Sequence, residues 1–255
     1  MMRIGSLRKP AFFALLVALW AILFRLGIWD AALFPSPWQV LQTLGHALAD
    51  RSLLYATGAS LRRLLEGYAL SLLIGVPLGV LLARVKWVED TVGSLVLGLQ
   101  TLPSICWLPL AILWFGLNNS AILFVVVMGA LLAITVAVHD GVKNVPPVYL
   151  RAAQTMGTRP LALYTEVLLP AALPSILTGA KLGWSFAWRS LMAGELLFVS
   201  TGLGHMLTMG RELADMSQVI AVMLVIIGLG LLTDRALFGV LEARVRERWG
   251  LLGVK

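Results

Sequence analysis

Apolar stretches of membrane-spanning length recur along the chain, separated by shorter polar segments. A helix of about 18 residues, at about 1.5 Å per residue, spans about 27 Å, close to the thickness of the hydrocarbon core of a bilayer. Six stretches reach that length: Ala11–Ile28, Glu66–Ala83, Val92–Phe115, Ala121–Val138, Ser175–Phe198 and Val219–Val240. The pattern predicts an all-α integral membrane protein of about six transmembrane helices, in a single domain over residues 1–255.

Some features inside and between these stretches predict how they pack. Residues 38–65 are mixed in character, and we expect helical, partly interfacial segments there. Pro103 and Pro109 each remove a helix hydrogen bond from the third span. Broken backbone at membrane depth persists only where it is buried in protein or lines a cavity, so this span is predicted to be interior. A simple kinked packing helix is the alternative.

Small residues at a spacing of four indicate close helix contacts. Gly75 and Gly79 show this spacing, as do Gly179 and Gly183. Small side chains let the backbones of membrane helices approach one another closely.

Composition excludes a soluble protein of ordinary type. Hydrophobic residues make up 59% of the chain and charged residues only 13%, whereas soluble domains have about 25% charged residues. The net charge of +7 is concentrated near both chain ends and in the segments after the second and fourth spans. Basic residues favour cytoplasmic segments, so both termini are predicted to be cytoplasmic and nucleic-acid binding is not expected. The first apolar stretch is interpreted as a retained span, because it is long for a signal peptide.

No enzyme signature appears in the sequence. A P-loop requires a Gly-Lys pair, which the chain lacks, so we expect no ATP hydrolysis by that route. The three histidines, His46, His139 and His205, are far apart in the sequence and are not accompanied by a cysteine cluster. Neither a metal site nor a catalytic residue is predicted.

The polar stretch from about residue 139 to 174 resembles two short helices joined by a bend. Pro146 and Pro147 can begin the first helix and Gly157 can end it, because glycine adopts the left-handed cap conformation. Thr158 can cap the second helix, and Leu169-Pro170 is expected to turn the chain toward the fifth span. Such a hairpin suits close docking of another protein, although an ordinary amphipathic loop remains the alternative.

The same stretch resembles the E-A-A-x3-G-x9-I-x-L-P loop of ABC importer permeases. The spacing agrees throughout, with Arg151 where the family usually has Glu and Val167 where it has Ile. The matching positions are Arg151, Ala152, Ala153, Gly157, Val167, Leu169 and Pro170. Residues 103–116, 169–174, 187–195 and 202–204 resemble the nitrate/sulfonate/taurine branch of these permeases, and the likeness extends over about residues 61–250.

The resemblance implies a fold, a mechanism and partners. The fold would be that of a MetI-like type I importer permease, with its core over about residues 61–240 and a cytoplasmic coupling loop over about 139–174. Two copies of the permease would form the pathway, two ATP-binding cassette subunits would bind ATP and Mg and receive the loops, and a periplasmic or lipid-anchored binding protein would deliver the substrate. This chain would carry no cofactor and would lie in a bacterial inner membrane among its lipids.

Two charged side chains in the fifth span are candidates for the substrate pathway. Arg189 and Glu195 lie in apolar surroundings, where an ionisable group usually faces a cavity or a partner. An arginine on the pathway would suit an oxyanion. The alternative is a buried structural pair between Arg189 and an acidic residue such as Glu66. Four tryptophans are further candidates, with packing or interfacial anchoring as the alternative: Trp107, Trp114, Trp184 and Trp188.

The predicted function is therefore the permease subunit of an ATP-driven importer of a small anion. Aliphatic sulfonate or taurine is the preferred substrate, and nitrate, bicarbonate or another small organic solute is the alternative. An autonomous secondary transporter and an intramembrane enzyme are less favoured. The former has no use for a coupling loop, and the latter lacks a nucleophile, a metal or a carboxylate pair.

Overall fold

The computed structural model describes residues 4–30, 32–198 and 200–248, and these residues form helices joined by turns. The two ends of the predicted domain, residues 1–3 and 249–255, lie outside this description. The helices are α1 (Ile4–Arg25), α2 (Pro37–Ala49), α3 (Ser52–Arg84), α4 (Lys86–Gln100), α5 (Ser104–Phe115), α6 (Asn119–Lys143), α7 (Pro147–Thr155), α8 (Leu163–Leu197), α9 (Leu203–Glu212) and α10 (Met216–Val245). The prediction of an all-α membrane protein is confirmed.

The predicted number of six crossings is not matched within the described residues. Four helices are long and apolar enough to cross a membrane, namely α3, α6, α8 and α10. The bent pair α4 and α5 supplies a fifth crossing if it is counted as one span. The apolar part of α1, Pro10–Arg25, is shorter than these spans.

The second span begins earlier than the hydropathy pattern predicted. α3 begins at Ser52 rather than at Glu66, and the carboxylate of Asp50 accepts a hydrogen bond of 2.8 Å from the Ser52 amide. Hydrogen bonds from the Ser52 side chain and backbone hold the pKa of Asp50 below its usual value. Arg62 and Glu66 lie where the predicted apolar span was expected to begin, and neither interrupts the helix. Their side chains form an ion pair of 2.7 Å along it.

The chain divides into two compact units. Unit 1 contains Met1–Ala59 and Thr201–Leu229, and unit 2 contains Ser60–Ser200 and Gly230–Lys255. The division falls inside α3 and inside α10, so each of these helices contributes residues to both units.

A tight corner between α1 and α2 organises the N-terminal part of unit 1. The indole N–H of Trp20 donates a hydrogen bond of 3.0 Å to the carbonyl of Pro35, and its ring packs edge-on against Phe34. α2 then begins with a capping box. The Ser36 side chain accepts from the Gln39 amide at 3.2 Å, and the Gln39 side chain accepts from the Ser36 amide at 2.8 Å. This reciprocal pair satisfies amide groups that the first turn of a helix leaves without partners.

Helix α6 lies at the centre of unit 2. It has a mean hydropathy of 2.9, and 56% of its apolar window is buried, more than in any other candidate span. Its N-terminus is capped by Asn118, whose side chain accepts from the Ser120 and Ala121 amides. A helix that is apolar on all sides must be surrounded by other helices or by lipid. Here α3, α5 and α8 provide much of that surrounding.

Glycines bring α3 and α8 into direct contact with α6. A Cβ at Gly79 of α3 would lie 2.6 Å from the backbone oxygen of Thr135, and one at Gly179 of α8 would lie 2.5 Å from the Cβ of Ala137. These distances are too short for any real carbon. The close helix contacts predicted at both glycine pairs are therefore confirmed, and the pairs are Gly75 with Gly79 and Gly179 with Gly183.

We predict that Gly79→Ala destabilises the protein by about 1–3 kcal/mol, the usual cost of overpacking, because the nearest atom is a backbone oxygen that cannot rotate away. Thermal unfolding in detergent measures the change. Gly98→Ala is the matched control, since open space surrounds its Cβ position and alanine has the higher helix propensity. Equal stability of the two variants would contradict the packing argument.

Candidate functional site

The predicted third span is broken into two helices, α4 and α5. The two helices meet at an angle of 104°. α4 ends with short hydrogen-bonded turns from Thr101 to Gly98 and from Leu102 to Leu99. Pro103 then adopts a φ of −54° and has no amide hydrogen to donate. A 3-10 turn, Ser104–Trp107, begins α5. The predicted irregularity in this span is thus a complete break rather than a kink.

The broken backbone lines a cavity, as the low tolerance of a membrane for unpaired peptide groups requires. The cavity has a volume of about 320 Å³ and is bounded by the α4–α5 break, by the middle of α6 and by one face of α8. Gln100 and Ser104 supply polar side chains from the break. Met128 and Gly129 of α6 form a second wall, and Arg189 of α8 lies on a third.

Arg189 is exposed on this cavity and is not paired with an acid. Its guanidinium carbon lies 5.4 Å from the centre of the Phe186 ring, a cation–π arrangement one turn away on the same helix. None of the carboxylates that the structure describes forms an ion pair with it. The predicted alternative, a pair with Glu66, is wrong, because Glu66 pairs with Arg62.

Glu195, the other charged candidate in α8, is fully buried and paired. The Ser60 hydroxyl donates its one proton to the carboxylate, with its oxygen 2.7 Å from Oε2 and 2.9 Å from Oε1, and the Arg63 guanidinium donates to Oε1 at 2.8 Å. The Nε of Arg63 also donates to the side chain of Asn119 at 3.0 Å. These contacts join α3, α6 and α8 in one network, and Glu195 does not line the cavity.

The four candidate tryptophans lie in different surroundings. Trp107 lines the cavity and packs edge-on against Phe124, with ring centres 6.3 Å apart. Trp114 does not line the cavity and is exposed on α5. Trp184 and Trp188 are buried and pack edge-on against each other, 6.5 Å apart. The structure therefore brings only Trp107 and Arg189 of the candidates together at one cavity.

Sequence reasoning missed the other groups on the cavity wall. Gln100, Ser104 and Phe186 were not singled out, although polar residues beside Pro103 in an apolar span were a usable signal. No comparable signal marks Phe186, because its role depends on the helix that it faces. Among the described residues, no three His, Cys, Asp or Glu side chains converge as metal ligands would.

The second candidate site is the helical hairpin of α7, its bend and the start of α8. α7 begins at Pro147, as predicted, and ends in a Schellman motif. The amide of Gly157 donates to Gln154 at 3.0 Å and that of Thr158 donates to Ala153 at 3.1 Å. Gly157 has a φ of +79°, the conformation that the sequence predicted for it.

Two details of the predicted hairpin are wrong. The N-cap of the next helical turn, which precedes α8, is Arg159 rather than Thr158, because the carbonyl of Arg159 accepts the first hydrogen bond of that turn, from the Leu163 amide at 2.9 Å. Leu169-Pro170 makes no turn. Both residues lie inside one continuous helix, directly after a π turn, Leu163–Leu168. Pro170 is tolerated because regular α-helical hydrogen bonding only begins after that turn, and the first residues of an α-helical segment can lack an amide hydrogen. Val167, Leu169 and Pro170 therefore lie on the stem of α8 rather than on a loop.

The hairpin presents apolar side chains outward. Met156 at its tip is 86% exposed and Leu161 just beyond the bend is 76% exposed, whereas Ala153 is buried against the protein. Arg151 and Ala152 are also exposed on α7. A rigid, capped turn with apolar side chains at its tip is a surface suited to a protein partner.

An ionic cluster anchors the C-terminal end of α6 just before the hairpin. The Glu89 carboxylate of α4 pairs with the Lys143 ammonium and lies 3.2 Å from the His139 ring. The other nitrogen of that ring lies 2.9 Å from Asp140. The cluster connects the starting turn of α4 to the segment that leads into the hairpin.

A broken helix beside a cavity with one arginine on its wall, together with an exposed helical hairpin in a bundle of apolar helices, is an arrangement typical of a transport protein. The chain belongs to the family of binding-protein-dependent transport system inner membrane components, which it matches over residues 75–247, more than half of its length. It is the membrane permease of an ABC transporter and not an enzyme, since ATP hydrolysis is the task of a separate subunit in such systems.

Several relatives support the predicted branch of this family. A putative ABC transporter permease of Methanocaldococcus jannaschii is 34% identical, with 88% of this chain and 85% of the relative covered. The taurine transport system permease of Escherichia coli is 29% identical, covering 82% and 78%. A putative aliphatic sulfonates transport permease of Bacillus subtilis is 27% identical, covering 91% and 84%.

The fold agrees with that of a solved importer. The structure of the MetNI methionine ABC transporter in an inward-facing conformation superposes with a TM-score of 0.67 at 21% identity, covering 76% of this chain and 96% of that one. At this level of identity the likeness establishes the fold alone, and it confirms the predicted MetI-like architecture.

We predict that Glu195→Gln destabilises the protein by about 3–5 kcal/mol, because it leaves the largely buried Arg63 charge without its counter-ion. Glu66→Gln removes a carboxylate from a well-exposed pair and should have a much smaller effect, because water screens the charges. Thermal unfolding of both variants in the same detergent compares them. A small effect at Glu195 would show that the buried network contributes little to stability.

Proposed function

We propose that the chain forms the translocation pathway of an ATP-driven importer for a small organic anion, with aliphatic sulfonate or taurine as the preferred substrate. The observation that carries the proposal is the guanidinium of Arg189, which lies on a cavity at a broken helix and forms no ion pair with an acid among the described residues. A charge at membrane depth without a counter-ion is costly, and such positions commonly mark substrate pathways. Relatives named for taurine and for aliphatic sulfonates support the choice. Nitrate and bicarbonate are the alternatives.

The hairpin is proposed to couple this pathway to ATP hydrolysis. Arg151, Ala152 and Gly157 would enter a cleft of an ATP-binding subunit, with Met156 at the tip providing apolar contact. Ala153, predicted to take part in this contact, is buried and would instead hold the hairpin against the permease. The continuous helix α8 runs from the hairpin past Arg189, so movement of the hairpin would reach the cavity through one rigid element. Val167, Leu169 and Pro170 would stiffen the stem of this connection.

The proposed importer would contain two kinds of subunit besides the permease. Two copies of the permease would pair, two ATP-binding subunits carrying ATP and Mg would dock on the cytoplasmic side, and a solute-binding protein would approach from the other side. Both termini would be cytoplasmic, in a bacterial inner membrane. An autonomous secondary transporter would have no need of the hairpin, so transport that persisted without the ATP-binding subunits would favour that function instead.

Transport by the reconstituted importer tests the anion pathway. We predict that Arg189→Gln reduces ATP-dependent uptake of a sulfonate at least about tenfold, because the positive charge is lost, and that Arg189→Lys retains part of the activity without the planar donor fork. Arg84→Gln is a matched control, since Arg84 also stacks on an aromatic ring, 5.3 Å from Tyr164, but does not line the cavity. Unchanged uptake and selectivity in both Arg189 variants would overturn the proposal.

A glycine substitution tests the coupling role of the hairpin. A Cβ at Gly157 would meet open space, so Gly157→Ala acts only through its positive φ, at a cost of about 1–2 kcal/mol. We predict reduced stimulation of the ATPase by binding protein and weaker co-purification of the ATP-binding subunit. Gly27→Ala is the matched control, because Gly27 also has positive φ and open space but lies between α1 and α2. Equal coupling in the two variants would refute this role.

A further inference from the structure

The walls of the cavity beside Arg189 select for more than the negative charge of a ligand. The selectivity derived below rests on the proposed function, because it concerns the same pathway. Arg189 provides the positive charge, and Gln100 and Ser104 add an amide and a hydroxyl whose side chains make no hydrogen bond among the described residues. Thr101 differs, since its hydroxyl already donates to the carbonyl of Gly98 at 2.7 Å. The available donors therefore suit a group with several acceptor oxygens.

The remaining surface of the cavity is apolar. Leu102 and Trp107 contribute to it from the break, Met128 and Leu132 from α6, and Phe186 from α8. The volume of about 320 Å³ lies at the lower end of the range, about 300–1,000 Å³, that is typical of pockets for small organic ligands. A triatomic or four-atom inorganic anion would contact Arg189 but leave most of this apolar surface wet.

The cavity wall lacks a negative charge. None of the lining residues, all of which belong to the described part of the chain, is Asp or Glu. The nearest acid in α8, Glu195, is fully buried and engaged by Ser60 and Arg63. A substrate ammonium group would therefore find only neutral acceptors and would be repelled by Arg189.

We propose that this cavity recognises amphiphilic monoanions, that is, a sulfonate group on an alkyl or aryl body without a cationic substituent. The anionic end would lie at Arg189, Gln100 and Ser104, and the apolar end against Leu102, Trp107 and Met128. Within the substrate classes suggested by the relatives, this favours aliphatic sulfonates over taurine, whose ammonium group has no counter-charge in the cavity, and over nitrate, which has no apolar body.

Calorimetric titration of the permease–ATPase complex in nanodiscs, without any binding protein, tests this recognition directly. The probes are 1-butanesulfonate, methanesulfonate, taurine, nitrate and butylammonium. We expect 1-butanesulfonate to bind at least about tenfold more tightly than taurine, because desolvating an ammonium group without a counter-charge is unfavourable. Affinity should rise about fourfold for each methylene that is buried, from methanesulfonate to 1-butanesulfonate, and butylammonium should not bind.

Variants separate the two ends of the site. Arg189→Gln should abolish sulfonate binding, whereas Leu102→Gln should flatten the gain in affinity from added methylenes. Leu117→Gln is the matched control, since Leu117 is an exposed leucine in the turn after α5 and does not line the cavity.

The outcomes distinguish this inference from the function on which it rests. If taurine or nitrate binds as tightly as 1-butanesulfonate and Arg189→Gln weakens each of them, amphiphilic selectivity is overturned while an anion pathway stands. If Arg189→Gln changes neither binding nor uptake, both proposals fall. Failure of every probe to bind the wild-type complex also overturns the selectivity proposal.

Discussion

The direct contact of α3 and α8 with α6 is the constraint on which the rest of unit 2 depends. In lipid, helices gain little from the hydrophobic effect and associate through close van der Waals packing. Glycines on two helices meet the same central helix at distances that no other residue permits, as at Gly79 and Gly179. This packing fixes the rotation of α8 about its axis. That rotation decides which side chains of α8 are buried and which, such as Arg189, face the cavity.

The two charges of α8 illustrate this division. Arg189 and Glu195 are six residues apart, which separates them by about 240° around the helix. Glu195 therefore lies inside the packed interface, where Ser60 and Arg63 satisfy it, while Arg189 lies where the α4–α5 break leaves space. One charge joins helices together and the other remains available to a ligand. A membrane helix can thus retain two charged side chains, each unfavourable in lipid, because helix packing places one against counter-charges and the other on a cavity.

Features encoded by neighbouring residues could be predicted from the sequence, and features that depend on distant residues could not. Gly157 ends its helix because of its own backbone conformation, and Pro103 interrupts its span because it lacks an amide hydrogen. Both features could therefore be predicted from the sequence. The partnership of Arg63 with Glu195 joins positions 132 residues apart, and no local pattern indicates it. The late predicted start of α3 has a different cause. A hydropathy window ends at charged residues such as Arg62 and Glu66, although a helix can continue through an exposed i,i+4 ion pair.

The π turn at Leu163–Leu168 also affects how the length of α8 can vary. A π turn is equivalent to one residue inserted into an α-helix, accommodated locally. A one-residue deletion inside this turn can be absorbed by its conversion to regular α-helix. The same deletion between Ala171 and Trp188 would rotate the hairpin by about 100° relative to Arg189, because each residue of an α-helix turns the chain by that angle. The stem of α8 thus has one short segment, Leu163–Leu168, in which a single-residue deletion need not change the orientation of the hairpin relative to Arg189.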